Sequence, residues 1–323
     1  MEQRRLGRAG LRVSRLGLGT MTWGRDTDEH EAKDQFVTFV DAGGALLDTA
    51  AGYSDGDSER VIGALLGSVV PRDEVVIATK AGISRRAGER VVDVSRRTLL
   101  GQLDGSLRRL AVDHVDLWQV HAWSGATPLE ETLSALDFAV ASGRAGYVGI
   151  SNYSGWQTAR AATWQAGWPG RAPIVSTQVE YSLLNRGIER EVAPAADALG
   201  LGILPWSPLG RGVLTGKYRT GAPADSRGAS PHFGAFVEEY LDERSRRIVD
   251  AVLTAADGLG VSPVDIALAW VRDQPGVVAP IVGARTAAQL RGALTAEEVT
   301  LPTEIREALD DVSAPPVGYP ERA

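Results

Sequence analysis

The chain has no cysteine, which excludes disulfides, thiolate catalysis and cysteine-ligated metals. Its four histidines, His30, His114, His121 and His232, are widely spaced and form no helical HxxxH pair, so a histidine metal site is not expected. No run approaches the roughly 20 apolar residues that a membrane span needs. The N-terminal MEQRRLGRAG is charged and lacks the apolar centre of a signal peptide. Basic residues are outnumbered, 34 against 41 acidic, giving a net charge of −7 with both signs interspersed. That balance argues against a nucleic-acid or membrane partner and points to a cytoplasmic protein. The dinucleotide pattern GxGxxG is missing too: Gly17-Leu18-Gly19 begins it, but no glycine stands at the third place.

What is present is a repeated alternation. With 44% hydrophobic and 23% charged residues over 323 positions, the chain can bury a large core. Residues 4–14 read as a small hairpin. Short apolar runs then alternate with helical spacing: strands at 16–20, 45–48, 75–80, 115–121, 145–151, 174–180, 202–206 and 278–282. The intervening helices are expected at 28–41, 58–66, 95–110, 128–142 (with Thr127 as its N-cap), 154–166 and 188–199. The rhythm breaks only at 208–236, rich in Gly, Pro and Ser, before helices at 238–259, 264–272, 287–294 and 303–311. Eight strand–helix units imply parallel pairing, which predicts a closed α/β barrel, a (β/α)8 TIM barrel, over residues 1–323 as one domain. In that fold the chemistry belongs at the C-terminal ends of the strands.

Those ends carry unusual residues. Asp48 closes strand two, and a buried carboxylate is costly unless paired. Lys80 ends strand three and supplies the missing cation. Tyr53 follows on the loop after Asp48, and His121 ends strand four. Singly, each has an ordinary reading: a helix cap, a solvated lysine, a packed histidine. Their convergence on one rim favours chemistry. The ends of strands five to eight give Ser151, Asn152, Gln178, Trp206, Ser207 and the run Gly283-Ala284-Arg285. A glycoside hydrolase barrel would instead need two facing carboxylates about 5–10 Å apart. Only Asp48 and Glu180 are candidates, and Asp48 is taken by Lys80.

The segments DTAAGYSDGDSE (48–59), VVIATK (75–80), QVHAW (119–123), VGISNYS (148–154), WSPLGRGVLTGKY (206–218) and IVGARTAAQL (281–290) span nearly the whole chain. Together they resemble the signature segments of the aldo-keto reductases, most of all the bacterial reductases related to the potassium-channel beta subunits. The resemblance implies NADPH-dependent reduction of a small carbonyl compound. The residue types fit that chemistry. A tyrosine, with an ordinary pKa near ~10, donates a proton at neutral pH only if its phenolate is stabilised, and a nearby ammonium does so. Tyr53 is then the general acid, Lys80 its tuner, Asp48 the support of Lys80, and His121 the group that orients the carbonyl.

The resemblance also implies the cofactor contacts. Ser151, Asn152 and Gln178 match positions on the nicotinamide carboxamide, and Trp206 the aromatic that stacks on the ring. Gly19, Thr20 and Met21 join them at the end of strand one. Ser207, Pro208, Leu209, Arg211, Lys217 and Arg227 fall on a long loop covering the dinucleotide. Gly283, Ala284, Arg285 and Gln289 match the adenosine end, where an arginine suits a 2′-phosphate and favours NADP(H) over NAD(H). Gly292 and Ala293 depart from the acid and amide that relatives often carry there. Trp23 and Trp123 are the expected substrate-pocket walls. The rival reading within the family is an NADP(H)-sensing regulatory subunit with slow turnover. Channel beta subunits carry an amide where His121 stands, which argues for an enzyme.

Overall fold

The computed structural model describes every residue except 87, 220, 222, 224–226, 230–233, 317 and 319–323, together with all side chains of the described helices and strands but those of Arg86 and Arg227. An antiparallel hairpin, β1 (Gln3–Arg5) and β2 (Arg12–Ser14), precedes the barrel. The barrel strands are β3 (Gly17–Gly19), β4 (Leu46–Asp48) and β5 (Val76–Ala81), then, after a second hairpin of β6 (Ile83–Arg86) and β7 (Glu89–Val92), β8 (Val115–Val120), β9 (Ala145–Ser151), β10 (Ile174–Glu180), β11 (Gly202–Trp206) and β12 (Ile281–Gly283). Eight of these close in the order β10-β11-β12-β3-β4-β5-β8-β9, and every pair in the ring is parallel. This is the expected (β/α)8 barrel.

The helices are α1 (Glu29–Asp41), α2 (Asp57–Leu65), α3 (Arg96–Leu110), α4 (Leu129–Ala141), α5 (Gly155–Ala166), α6 (Val192–Leu199), α7 (Gly234–Glu238), α8 (Glu243–Leu259), α9 (Pro263–Arg272), α10 (Ala287–Leu294) and α11 (Thr303–Ser313). Their limits follow local chemistry. Asp28 caps α1 by accepting from the Glu31 N–H at 2.9 Å, and the face of Ala32, Phe36 and Phe39 is buried against the barrel. In α9, Ser262 and Asp265 cap reciprocally ahead of Pro263 in the first turn. No single described helix is long and apolar enough to cross a membrane. The bent pair α8–α9 passes on composition because Asp265 to Arg272 of α9 are all buried in the core.

Several boundaries depart from expectation for definite reasons. Pro128, not Thr127, is the N-cap of α4, with an extended backbone and no side-chain cap bond; a residue preceding proline is itself held extended, which keeps Thr127 outside the helix. The span 188–199 is not one helix. A 3-10 turn at Gly187–Glu189 comes first, and Pro194, whose ring would clash with the carbonyl four residues back, prevents continuity into α6. The helix expected at 238–259 begins only at Glu243, as α8, where Asp242 accepts from Ser245 N–H at 2.7 Å, and Glu238 instead ends the short α7. The last strand begins only after Pro280, which has no N–H for the ladder. The β6–β7 hairpin has no strand signal in the sequence, because its run of arginines hides a short alternating strand pair.

Two apolar cores result. The larger lies between the barrel wall and the helices. The smaller fills the barrel with Leu46, Ala78, Leu117, Leu204 and Ile281, and the first hairpin closes its N-terminal end with Leu6 and Val13. At that floor Gly7 has φ +58°, and a Cβ there would lie 2.5 Å from the Gly200 carbonyl oxygen and 2.7 Å from that of Val175. Both neighbours are backbone and cannot turn aside. Gly7→Ala should therefore lower the unfolding free energy by about 2–3 kcal/mol, read as a shifted urea midpoint; an unchanged midpoint would mean the hairpin is not seated on the floor.

Candidate active site

The site grows out of one buried ion pair. Asp48 ends β4 and Lys80 lies in β5, the adjacent strand, so both side chains enter the barrel mouth. Each is almost completely buried, and Lys80 Nζ lies 2.6 Å from Asp48 Oδ1. A buried pair is tolerable only if the remaining protons and lone pairs are also met. Here they are. Lys80 donates to Asp48 Oδ1, to the Thr49 carbonyl at 2.9 Å and to Tyr53 Oη at 3.3 Å, a partner for each ammonium proton. Asp48 Oδ2 accepts from Gln178 Nε2 at 2.8 Å. Burial opposes charge on Lys80, but the Asp48 carboxylate and the Tyr53 hydroxyl outweigh it and the pKa is raised. Lys80 is thus charged at neutral pH.

Tyr53 is delivered by a loop of unusual backbone. Its N–H is held by the Ala50 carbonyl at 3.0 Å, and the Ala51 N–H by that of Lys80 at 2.9 Å. Ser54, Asp55 and Gly56 then have φ of 48°, 53° and 95° in succession. Non-glycine residues in the left-handed region store strain and persist only when their surroundings hold them. His121 follows β8, its N–H bound to the Ala81 carbonyl at 2.8 Å. Its ring meets that of Tyr53 edge-on, with centroids 5.8 Å apart. Burial, then the Lys80 ammonium and Arg90, hold its pKa well below the ordinary value, so the imidazole is neutral at neutral pH.

Opposite this group stands Trp206, at the end of β11. Its indole N–H donates to Asn152 Oδ1 at 3.0 Å, and Asn152 Nδ2 donates to the His121 carbonyl at 2.9 Å. An indole N–H only donates, so this fixes which way the Asn152 amide faces. Asn152 has φ 58°, and its N–H reaches the Gln178 carbonyl at 3.0 Å. Ser151 Oγ donates to the same carbonyl at 2.9 Å. A cavity of about 380 Å3 lined by Asn152, Tyr153, Glu180, Asn185, Ile188 and Trp206 opens beside this wall.

The remaining sequence candidates divide. Because β12 pairs with β3, Gly283 stands beside Gly19 and leads Ala284 and Arg285 to the same end of the barrel. Thr22 Oγ1 donates to the Ala284 carbonyl at 3.3 Å. Gln289 Oε1 accepts from the Arg285 N–H at 3.0 Å, and the Arg285 guanidinium has no partner among the described residues. Ser207, Pro208 and Leu209 follow Trp206 on the rim, Ser207 with φ 52°. Lys217 Nζ lies 5.3 Å from the Tyr218 ring centroid. The Arg227 side chain, like His232, lies outside the described part.

Three of the sequence candidates have other partners in the structure. Trp23 is fully buried, donating to Gln35 Oε1 at 3.1 Å and packing on Phe36, so it belongs to the core under α1 and not to a pocket wall. Trp123 does remain at the rim, edge-on to Tyr153 and to the exposed Trp156. The Thr20 hydroxyl is turned into the wall, bound to the Asp48 carbonyl at 3.0 Å and Ser58 Oγ at 2.8 Å. That leaves only the Thr20 backbone near the mouth.

Arg211 is the largest change. Its guanidinium forms a two-pronged pair with Glu180 at 2.8 Å on each arm, a third bond to Glu239 at 2.8 Å and a fourth to the Phe236 carbonyl at 2.6 Å. It also lies 3.6 Å from the Phe236 ring centroid, and Phe236 in turn stacks on Trp206. A cation so committed has little left for a phosphate. It ties the irregular segment to the end of β10. Neither Glu180 nor Phe236 could be assigned to this network from sequence, since the partners are 25 to 31 residues apart. Arg211→Ala should leave the largely buried Glu180 with only Tyr240 Oη, at 3.1 Å, as a partner and cost about 3 kcal/mol of stability, read by chemical denaturation. Loss of dinucleotide affinity at unchanged stability would restore Arg211 to the cofactor.

Comparison with known proteins agrees with this architecture. The model of the aldo/keto reductase family matches residues 15–314. The chain is 37% identical over 332 residues to "Uncharacterized oxidoreductase YrpG" of Bacillus subtilis (strain 168), covering 98% of both chains. It is 35% identical to "Probable voltage-gated potassium channel subunit beta" of Oryza sativa subsp. japonica, covering 100% of this chain and 98% of that one. To "L-glyceraldehyde 3-phosphate reductase" of Escherichia coli O157:H7 it is 33% identical, covering 96% and 92%. With the barrel closed and nearly its whole length matched, the chain belongs to the aldo/keto reductase family of oxidoreductases.

Proposed function

We propose that the protein reduces an aldehyde or ketone to the alcohol with NADPH, Tyr53 acting as the general acid. The observation that carries this reading is the buried Lys80 ammonium, paired with Asp48 and donating to Tyr53 Oη at 3.3 Å. As the carbonyl carbon takes up hydride, its oxygen becomes an alkoxide and needs a proton. Tyr53 gives it, and the adjacent ammonium stabilises the phenolate left behind. Neutral His121, edge-on to Tyr53, donates a hydrogen bond that orients the carbonyl oxygen. Asp48, held in turn by Gln178, keeps Lys80 in position.

The donor set suits a nicotinamide dinucleotide, which supplies the hydride when bound. Gln178 has committed its amide N–H to Asp48, which leaves Oε1 to accept from a carboxamide. Trp206, braced by Asn152 and by Phe236, offers a fixed aromatic face. Arg285, whose guanidinium has no partner among the described residues, suits a 2′-phosphate. The similarity to a channel beta subunit supports a second reading, an NADP(H) sensor with slow turnover. A burst of reduction followed by a stall with retained cofactor would favour it.

Tyr53→Phe should lower kcat for a test aldehyde by at least about 100-fold while leaving NADPH binding, followed by fluorescence titration, nearly unchanged. Undiminished turnover would remove Tyr53 from the acid role. Arg285→Ala should weaken NADPH about tenfold or more and NADH far less, measured as the two dissociation constants. Equal losses would rule out a 2′-phosphate contact.

A further inference from the structure

The β6–β7 hairpin has no part in the reaction as described, yet it adjoins the site. It springs from the end of β5, the strand of Lys80, after the single residue Gly82. Its first residue lies on the tyrosine loop: a Cβ at Gly52, next to Tyr53, would be 3.0 Å from the Ile83 carbonyl oxygen. Arg85 and Arg90 are direct register partners across the hairpin, so their side chains share one face. Like charges placed directly opposite are unfavourable unless something neutralises them. Among the described residues nothing does. Arg85 donates to the Gly88 carbonyl at 3.0 Å. The exposed Arg90 guanidinium has no hydrogen bond or ion pair among the described residues. Glu89, the acid of this hairpin, sits one position away, on the opposite face by alternation.

The hairpin's place in the ring says what it faces. β11, which carries Trp206, is four positions from β5 around the eight-stranded barrel, directly across the mouth. The residues suited to a dinucleotide centre on that far side, on β10 to β12, and reach the flanks at the ends of β9 and β3. The arginine pair therefore flanks the side from which a carbonyl compound would approach Tyr53 and His121. Arg90 is also close enough to His121 for its charge to add to that of Lys80 on the imidazole.

We propose that Arg90, seconded by Arg85, forms an oxyanion-binding wall of the substrate pocket, and that the preferred substrates are carbonyl compounds bearing a carboxylate or phosphate away from the reacting carbon. This rests on the reductase reading and names its substrate class. The anion supplies the charge that the arginine pair lacks, and the planar guanidinium suits either group.

The test compares matched substrates with NADPH: 4-carboxybenzaldehyde against methyl 4-formylbenzoate, and glyceraldehyde 3-phosphate against glyceraldehyde. The kcat/KM ratio of charged to neutral partner should be about tenfold at low salt in at least one pair, and the responding pair identifies the oxyanion. R90Q should bring that ratio close to one, R90K should keep part of it, and added salt should erode it in the wild-type protein. Because each ratio is taken within one variant, partial misfolding cancels. Ratios near one in both pairs for the wild type, or a ratio unchanged by R90Q, would overturn the proposal while leaving the reductase reading in place. Failure to reduce any of the four compounds would overturn the reductase reading and this one with it.

Discussion

A carboxylate and an ammonium removed from water govern this structure. Burying either alone costs several kcal/mol, and their attraction offsets that only when the remaining protons and lone pairs also find partners. The barrel meets that demand with residues from separate strands: Thr49 after β4, Gln178 in β10 and Tyr53 on the loop between β4 and α2. The geometry of the mouth follows from satisfying one pair. Lys80 has a proton left for Tyr53 because its other two are already used. Gln178 presents a defined amide orientation because Asp48 accepts its N–H.

A second buried pair organises the other rim. Arg211 and Glu180 connect the irregular segment after β11 to the barrel, and Phe236 carries that connection to Trp206 through stacked rings. The two pairs divide the labour. Asp48–Lys80 sets the side of the mouth that holds Tyr53, and Glu180–Arg211 sets the side that holds Trp206. Asn152 joins them, bonded to Trp206 through one end of its amide and to the His121 backbone through the other.

Much of this was legible in the sequence because it depends on local pattern. Apolar runs mark the strands, and the barrel rule alone places Asp48, Lys80 and His121 on one rim. β9, β10, β11 and α10 begin and end where the pattern put them. What was not legible depends on partners distant in the chain. Arg211 sits in a motif that suggested a phosphate contact, but its fate was decided by Glu180 and Glu239. Trp23 looked like a rim residue from its place after the first strand, yet the Gln35 amide on α1 draws it inward. Thr20 is turned by Ser58 in the same way. The β6–β7 hairpin shows a weaker limit: short strands rich in arginine resemble a loop until pairing reveals their alternation.

The small hairpin under the barrel acts as a clasp. Leu6 and Val13 extend the packed interior at its N-terminal end, and the Arg8 N–H bonds the Gly200 carbonyl at 3.0 Å. The first residues of the chain are thereby fastened to a turn far along it, just before β11. Stripped of that segment, the lowest apolar layer of the barrel would face water.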